Sequence, residues 1–387
     1  MDKKFFGIFI AQQSTTYENI REVIKSYSKD INNSFIFIDQ SNIYNNDLKD
    51  VLKLNPKSIF RFGKPLLKIP NPYSPSYLIK FIYFLKIKFL LSKIIQKADF
   101  VCFSPGGFIE GEIARLVKNY GGRVVQIEGG QPIDAIRNAF IYNKSEKNSF
   151  FYKLPFRRFK NNPRVNPTIN IDYFITSGSN TKKMYENLGY EKNKILDIGL
   201  PRYKELMERK TNTFKSFTKV ENIFYIAGAY EFHNEKNQSN EMISNILEIS
   251  NNLKLQKGIN FYVKPHPRQS SNELKLLSNL KDLKLVTNEI FNEMVFKNSL
   301  VLSRYSNLAF ELMYLNIPTF FFKPPILKFG DNILPNKELI LNNVEELNEM
   351  IKNFNKINFS KFSNNFFSPS TSNSSNLINN LLLGLEI

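Results

Sequence analysis

Short apolar runs rich in aromatic and β-branched residues alternate with helical segments along the chain, and this alternation constrains the fold more than any other feature. Residues 5–11, 34–38, 99–104, 123–128, 171–176 and 195–198 read as strands. Helical stretches fall at 17–28, 77–97, 110–118 and 180–188. Strands separated by helices predict βαβ units and parallel sheets, an α/β class. Residues 207–220 are polar without apolar periodicity and mark a linker. A second series follows, with strands at 223–227, 260–264, 300–302 and 319–322 and helices at 242–253, 307–315 and 344–354. The expected division is a first domain over 1–206, a linker over 207–220 and a second domain over 221–387. The Ser/Asn-rich stretch 368–376 reads as loose, and 377–385 as a short helix able to pack back on the first domain. Residues 143–167, with Pro155, Pro163 and Pro167, read as an irregular excursion.

Composition narrows the function classes. The length of 387 residues suits two domains at roughly 100–200 residues each. With 42% hydrophobic and 23% charged residues, wholesale disorder is excluded. Lys and Arg total 53 against 35 Asp and Glu, a net charge of +18, which favours an anionic partner. The single cysteine, Cys102, excludes a disulfide framework, and two histidines, His233 and His266, exclude a histidine-rich metal site. The start reads as no signal peptide and no apolar run spans a bilayer, so the expected location is cytoplasmic, with peripheral attachment to the inner face of the plasma membrane open.

In open α/β sheets ligands sit beyond the carboxyl ends of the strands, so motifs there carry the chemistry. The sharpest is Val263-Lys264-Pro265-His266-Pro267-Arg268. Two prolines stiffen a turn around one histidine, and Lys264 and Arg268 add positive charge, a combination suited to a phosphate leaving group. A rigid corner with a solvated histidine is the other reading. Ser303-Arg304-Tyr305-Ser306-Asn307, followed by Glu311, again joins a strand to a helix. Ser306 or Asn307 suits an N-cap, and the helix start offers N–H groups to a phosphate; ordinary capping is the bland alternative. Gln126-Ile127-Glu128-Gly129-Gly130-Gln131 ends a strand in the first half. There Glu128 is a candidate general base and the glycines permit close approach of another molecule, against a plain Gly-Gly turn. No G-x-G-x-x-G or P-loop occurs, which disfavours dinucleotide enzymes and P-loop kinases.

Taken in order, these motifs resemble bacterial glycosyltransferases of the two-Rossmann-domain (GT-B) type with a His-Pro motif: the sialyltransferases and polysialyltransferases, the capsule Kdo transferases and the CDP-glycerol glycerophosphotransferases. The resemblance covers residues 98–322, including Ile198-Gly199-Leu200-Pro201-Arg202 and Ile317-Pro318. It implies two Rossmann-like domains facing across a cleft. It further implies that His266 contacts the donor phosphate, that Lys264, Pro267, Arg268, Ser303, Ser306 and Asn307 line the phosphate site, and that Glu311 holds the ribose. Glu128 becomes the base, with Gly129, Gly130 and Gln131 on the acceptor side. Two positions depart from the pattern: the second acidic residue is Gly129, and the Ser-Ser/Thr pair is Ser306-Asn307. Relatives with His-Gly there leave the base open between positions 128 and 129. The absence of Asp-x-Asp points to a metal-independent reaction; a single displacement would invert the anomeric carbon, and no cofactor is expected beyond the nucleotide-activated donor.

The expected function is therefore a glycosyltransferase of surface polysaccharide or lipooligosaccharide synthesis, acting on a glycan or lipid-linked glycan. A CMP-activated sialic-acid-like sugar or Kdo is the preferred donor, and CDP-glycerol or a UDP-sugar the alternative. A nucleotide-sugar 2-epimerase and a basic nucleic-acid-binding protein are readings from other classes, though no nucleic-acid motif is present. For 77–97 an amphipathic helix on an anionic membrane is weighed against a core-packed helix with snorkelling lysines, and the second is preferred; the basic, aromatic stretch 150–164 reads as a contact for an anionic membrane in preference to a solvated loop.

Overall fold

The computed structural model describes residues 4–11, 14–39, 45–61, 77–104, 108–129, 171–187, 190–210, 219–231, 236–256, 258–280, 283–304, 306–324 and 337–386. The chain divides into two compact units, Met1–Glu205 with Phe366–Ile387, and Leu206–Asn365.

The first unit carries a parallel sheet ordered β3-β2-β1-β4-β5-β6-β7. Its strands are β1 (Phe6–Ala11), β2 (Ser34–Asp39), β3 (Ser58–Arg61), β4 (Phe100–Ser104), β5 (Arg123–Ile127), β6 (Tyr173–Ile175) and β7 (Ile195–Leu196). The helices are α1 (Ser14–Tyr27), α2 (Asn45–Lys53), α3 (Tyr77–Lys86), α4 (Phe108–Asn119) and α5 (Ser179–Asn187). A π-helical turn, Ile87–Leu91, continues α3 into a last turn, Ser92–Ile95. The central strands are covered on both faces, which is why they read as unbroken apolar runs such as FVCFS. Phe9 sits at the centre of one such layer, with Tyr27, Phe35 and Phe100 edge-on at 5.6, 5.6 and 5.5 Å. The segment α2–β3 escaped the sequence reading because its apolar positions are few and its strand short.

The C-terminal helix Ser374–Leu383 belongs to this unit, packing on α1, β4 and β5. Arg123 Nη1 donates to Leu382 O at 2.9 Å and Ser26 Oγ to Asn376 Oδ1 at 2.8 Å. The stretch before it is not loose. It forms the 3-10 helix Pro369–Asn373, with Ser370 N–H donating to Ser368 Oγ at 3.3 Å and Thr371 Oγ1 to Ser368 O at 2.6 Å. Short hydroxyl side chains, read from sequence as a sign of disorder, here satisfy the turn's own backbone.

The second unit repeats the topology as β10-β9-β8-β11-β12-β13. These are β8 (Asn222–Ile226), β9 (Asn260–Lys264), β10 (Lys284–Leu285), β11 (Ser299–Ser303), β12 (Thr319–Phe322) and β13 (Ile340–Leu341). Its helices are α6 (Lys236–Leu253), α7 (Ser271–Ser278), α8 (Asn288–Met294), α9 (Asn307–Tyr314) and α10 (Val344–Asn353). Phe224, Phe291, Val301 and Leu312 anchor a buried cluster between sheet and helices. The polar stretch expected as a linker is entered by the helix Lys204–Lys210, whose Leu206 packs against that cluster; residues 211–218 lie outside the described residues, as does 143–167.

In both sheets the chain steps outward from the first strand and then returns to its other side, an order of the 3-2-1-4-5-6 type. The switch points lie between β1 and β4 and between β8 and β11, and their carboxyl ends are where such folds bind ligands.

Candidate active-site residues in the two units

In the second unit the register places Ile226 of β8 between Lys264 of β9 and Ser303 of β11. At about 4.8 Å per strand, the two motif residues stand roughly 10 Å apart at the same end of the sheet. Lys264 is buried, its ammonium 5.4 Å from the Phe291 ring centre, and burial lowers its pKa. No described carboxylate pairs with it.

The turn after β9 is locally closed. His266 N–H donates to Gln269 Oε1 at 3.0 Å, and Arg268 N–H donates to His266 Nδ1 at 3.0 Å. An Nδ1 that accepts an N–H carries no proton, so the neutral ring's proton sits on Nε2. His266 is half-buried and Pro267 exposed. Ser270 then caps α7: Glu273 N–H donates to Ser270 Oγ at 3.0 Å and Ser270 N–H to Glu273 Oε2 at 3.3 Å. The other Glu273 oxygen accepts from Ser239 Oγ at 2.6 Å and Glu231 N–H at 3.4 Å. Glu273 thus ties the loop after β8 to the His266 turn, a role the sequence reading missed.

The β11–α9 turn differs. Ser306 stands at the N-cap but makes no side-chain capping bond, so the helix start keeps open N–H groups. Ser303 Oγ and Asn307 Oδ1 are buried without a hydrogen-bond partner among the described residues. Buried polar atoms are rarely left unpaired without reason. Arg304 holds this turn from behind. Its guanidinium donates to Lys323 O at 3.1 Å, to Gln238 O at 3.0 Å and to Glu241 Oε2 at 2.5 Å. Glu311 sits half-buried one turn into α9.

In the first unit Glu128 is only 3% exposed. Its backbone extends the β5–β6 pairing through Ile175 O at 2.9 Å. Ser177 N–H donates to Oε2 at 3.0 Å and Tyr185 O–H to Oε1 at 3.3 Å. Burial outweighs these bonds and pushes the carboxyl up to about 8. Both carboxyl oxygens thus face groups of the first unit's own, Ser177 and Tyr185. Asn19, not singled out from sequence, gathers the neighbouring pieces: its Nδ2 donates to Glu128 O at 3.1 Å and its Oδ1 accepts from Arg202 N–H at 3.2 Å. Arg202 Nη1 in turn reaches Gly129 O at 3.4 Å. Gly199, at φ 88°, leaves no room for a side chain, since a Cβ there would lie 2.1 Å from Thr371 Oγ1. Gly130, Gln131, Tyr305 and His233 lie outside the described residues.

The model of the CDP-glycerol:poly(glycerophosphate) glycerophosphotransferase family matches residues 114–383. No curated protein matches the chain in sequence. Among solved structures, the chain is similar to UDP-GlcNAc 2-epimerase from Methanocaldococcus jannaschii in complex with UDP-GlcNAc and UDP, at 16% identity and TM-score 0.62 over 98% of this chain and 100% of that one. The Neisseria meningitidis UDP-GlcNAc 2-epimerase bound to UDP-GlcNAc gives 13% identity and TM-score 0.60, covering 98% and 100%. The wall teichoic acid polymerase TagF gives 16% identity and TM-score 0.52, covering 99% and 89%. These likenesses show the GT-B type of fold. With a family match over well more than half its length, the chain belongs to the CDP-glycerol:poly(glycerophosphate) glycerophosphotransferase family and is an enzyme of the glycosyltransferase type in surface glycopolymer synthesis.

Proposed function

We propose that the enzyme transfers a glycerol phosphate or closely related group from a CDP-activated donor to a hydroxyl of a growing surface glycopolymer. The family match over residues 114–383 carries this reading. It favours the CDP-glycerol alternative over a CMP-activated sialic-acid-like sugar or Kdo. In the transfer an acceptor oxygen attacks the phosphorus that bears the glycerol. The bridging P–O bond breaks, CMP departs, and the acceptor's proton is released. A single displacement inverts the configuration at phosphorus, and the reading keeps the step metal-independent.

The second unit supports it with groups suited to a pyrophosphate. The open N–H groups of α9 and the buried Ser303 hydroxyl suit phosphate oxygens, the buried Lys264 ammonium supplies a counter-charge, and Glu311 suits a ribose. The Nε2–H of His266 donates to the leaving phosphate. Glu128 serves as a brace that holds its proton near neutral pH, not as the base.

A thermal-shift panel of CMP, CDP, UDP and GDP, followed by CMP release from CDP-glycerol, tests the reading. Cytidine nucleotides are expected to stabilise the chain by about 2.7 kcal/mol at a hundredfold excess over Kd. Stabilisation by UDP alone, or consumption of a nucleotide sugar without acceptor, overturns it.

A further inference from the structure

We propose that Arg304 is a positioning residue for donor binding, fixing the β11–α9 turn in its phosphate-receiving form from the opposite face of the sheet. The inference rests on the donor reading above. Side chains alternate along a strand, so Ser303 and Arg304 leave the end of β11 on opposite sides. Ser303 shares its side with Ile226 and Lys264, its register neighbours on β8 and β9. Arg304 turns the other way, to α6, and is only 3% exposed. Its guanidinium donates to Gln238 O at 3.0 Å, to Glu241 Oε2 at 2.5 Å and to Lys323 O at 3.1 Å, and stands 5.7 Å from the Tyr230 ring centre. One planar side chain thus links the turn after β11 to the loop after β8, to the first turns of α6 and to the end of β12.

Two features show why the turn needs this anchor. The first is that α9 lacks a lock of its own. Ser306 makes no side-chain capping bond, and such a bond is what usually fixes a helix start. A capping side chain would also occupy N–H groups that a phosphate can use, whereas a hold from the opposite face keeps them open. The second is Lys323, whose φ of 43° is a left-handed conformation that neighbours must maintain. Its N–H donates to Leu341 O at 2.7 Å, its ammonium pairs with Glu248 Oε2 at 2.6 Å, and its carbonyl accepts from Arg304 Nε. Glu241 and Glu248 lie seven residues apart, two turns along one side of α6, so that side serves both cations. With the Arg304 side chain shortened, Gln238 O and Lys323 O lose this donor, and the nucleotide itself must order the turn as it binds. The phosphate that stays with CMP keeps its place through the transfer. The cost therefore falls on binding and not on turnover.

The test compares Arg304→Lys and Arg304→Met with the wild type. Lys keeps the charge without the planar fork, and Met fills volume alone. The Kd for CDP, from thermal-shift titration, and the KM for CDP-glycerol are expected to rise together, by about threefold for Lys and about tenfold or more for Met, with kcat within about threefold of wild type. In the nucleotide-free chain, amide hydrogen exchange over residues 306–310 is expected to quicken by about tenfold in both variants. A lowered melting temperature with wild-type Kd and KM makes Arg304 a packing residue only and overturns the proposal. So does unchanged exchange over those amides in a folded variant. If Arg304→Met does not fold, Arg304→Lys decides by the same readings. A wild type that does not bind CDP counts against the donor reading alone, and the exchange rates then decide for Arg304.

Discussion

Glu128→Gln separates a base from a buried brace. Burial raises the Glu128 pKa from 4.5 to about 8. Below pH 4.5 the carboxyl is protonated in folded and unfolded chains alike, and it adds no pH dependence. Between 4.5 and 8 folding takes up a proton, so each unit of pH removes about 1.36 kcal/mol of stability. By pH 7 the loss reaches roughly 3 kcal/mol, and above pH 8 it levels off at about 5 kcal/mol. Gln is close in shape and uncharged. Its carbonyl can accept the Ser177 N–H and its amide can face the Tyr185 oxygen, so the variant keeps the contacts and sheds the proton linkage. Urea unfolding of both proteins at pH 4.5, 7 and 9 isolates this one group, because every other titration cancels in the difference. The variant is expected to match the wild type at the lowest pH, to exceed it by up to about 3 kcal/mol at pH 7, and to exceed it further at pH 9. Turnover should stay within about threefold of wild type, where loss of a general base costs about a hundredfold or more. Equal stability at every pH refutes the raised pKa. A folded variant with turnover down a hundredfold refutes the brace and restores Glu128 as the base.

Three further outcomes are expected. On the proposed reading His266→Ala removes the donor to the leaving phosphate and should lower turnover by about a hundredfold or more, while loss of the Arg268 N–H to Nδ1 bond costs about 1 kcal/mol of stability and leaves the chain folded; wild-type turnover counts against the phosphate assignment. Ser303→Ala deletes a buried hydroxyl that lacks a partner among the described residues, so the nucleotide-free protein should be no less stable, while stabilisation by CDP should shrink by about 1 kcal/mol; an undiminished CDP shift rules the hydroxyl out of the site. Gly199→Ala forces a side chain into a positive φ and against Thr371, and should destabilise the first unit by more than about 1 kcal/mol in urea unfolding; a neutral result contradicts the close approach.

The parallel sheets were legible in the sequence because their strands are buried on both faces. Residues 260–264 and 319–322 match β9 and β12 end for end, since apolar runs bounded by turns leave little freedom. Elements with little apolar burial escaped: α2, β3 and the two-residue strand β10 lack a strong period. The His266 and Ser303 motifs could be placed at strand ends from chain order alone. What surrounds Glu128 could not, because Asn19, Ser177 and Tyr185 reach it from distant segments through the fold. An exposed Phe89 beside a buried Ile87 was equally invisible, since composition alone does not say which side of a helix faces water.

The return of Phe366–Ile387 to the first unit sets the order in which the molecule can be completed. During synthesis the opening half emerges early, yet the groups that Arg123, Ser177 and Gly199 await are translated only after the whole second unit. A nascent chain therefore carries an unfinished N-terminal half throughout the making of the other. Shortening the chain by its final twenty-two residues would wound the half that is farthest away in sequence.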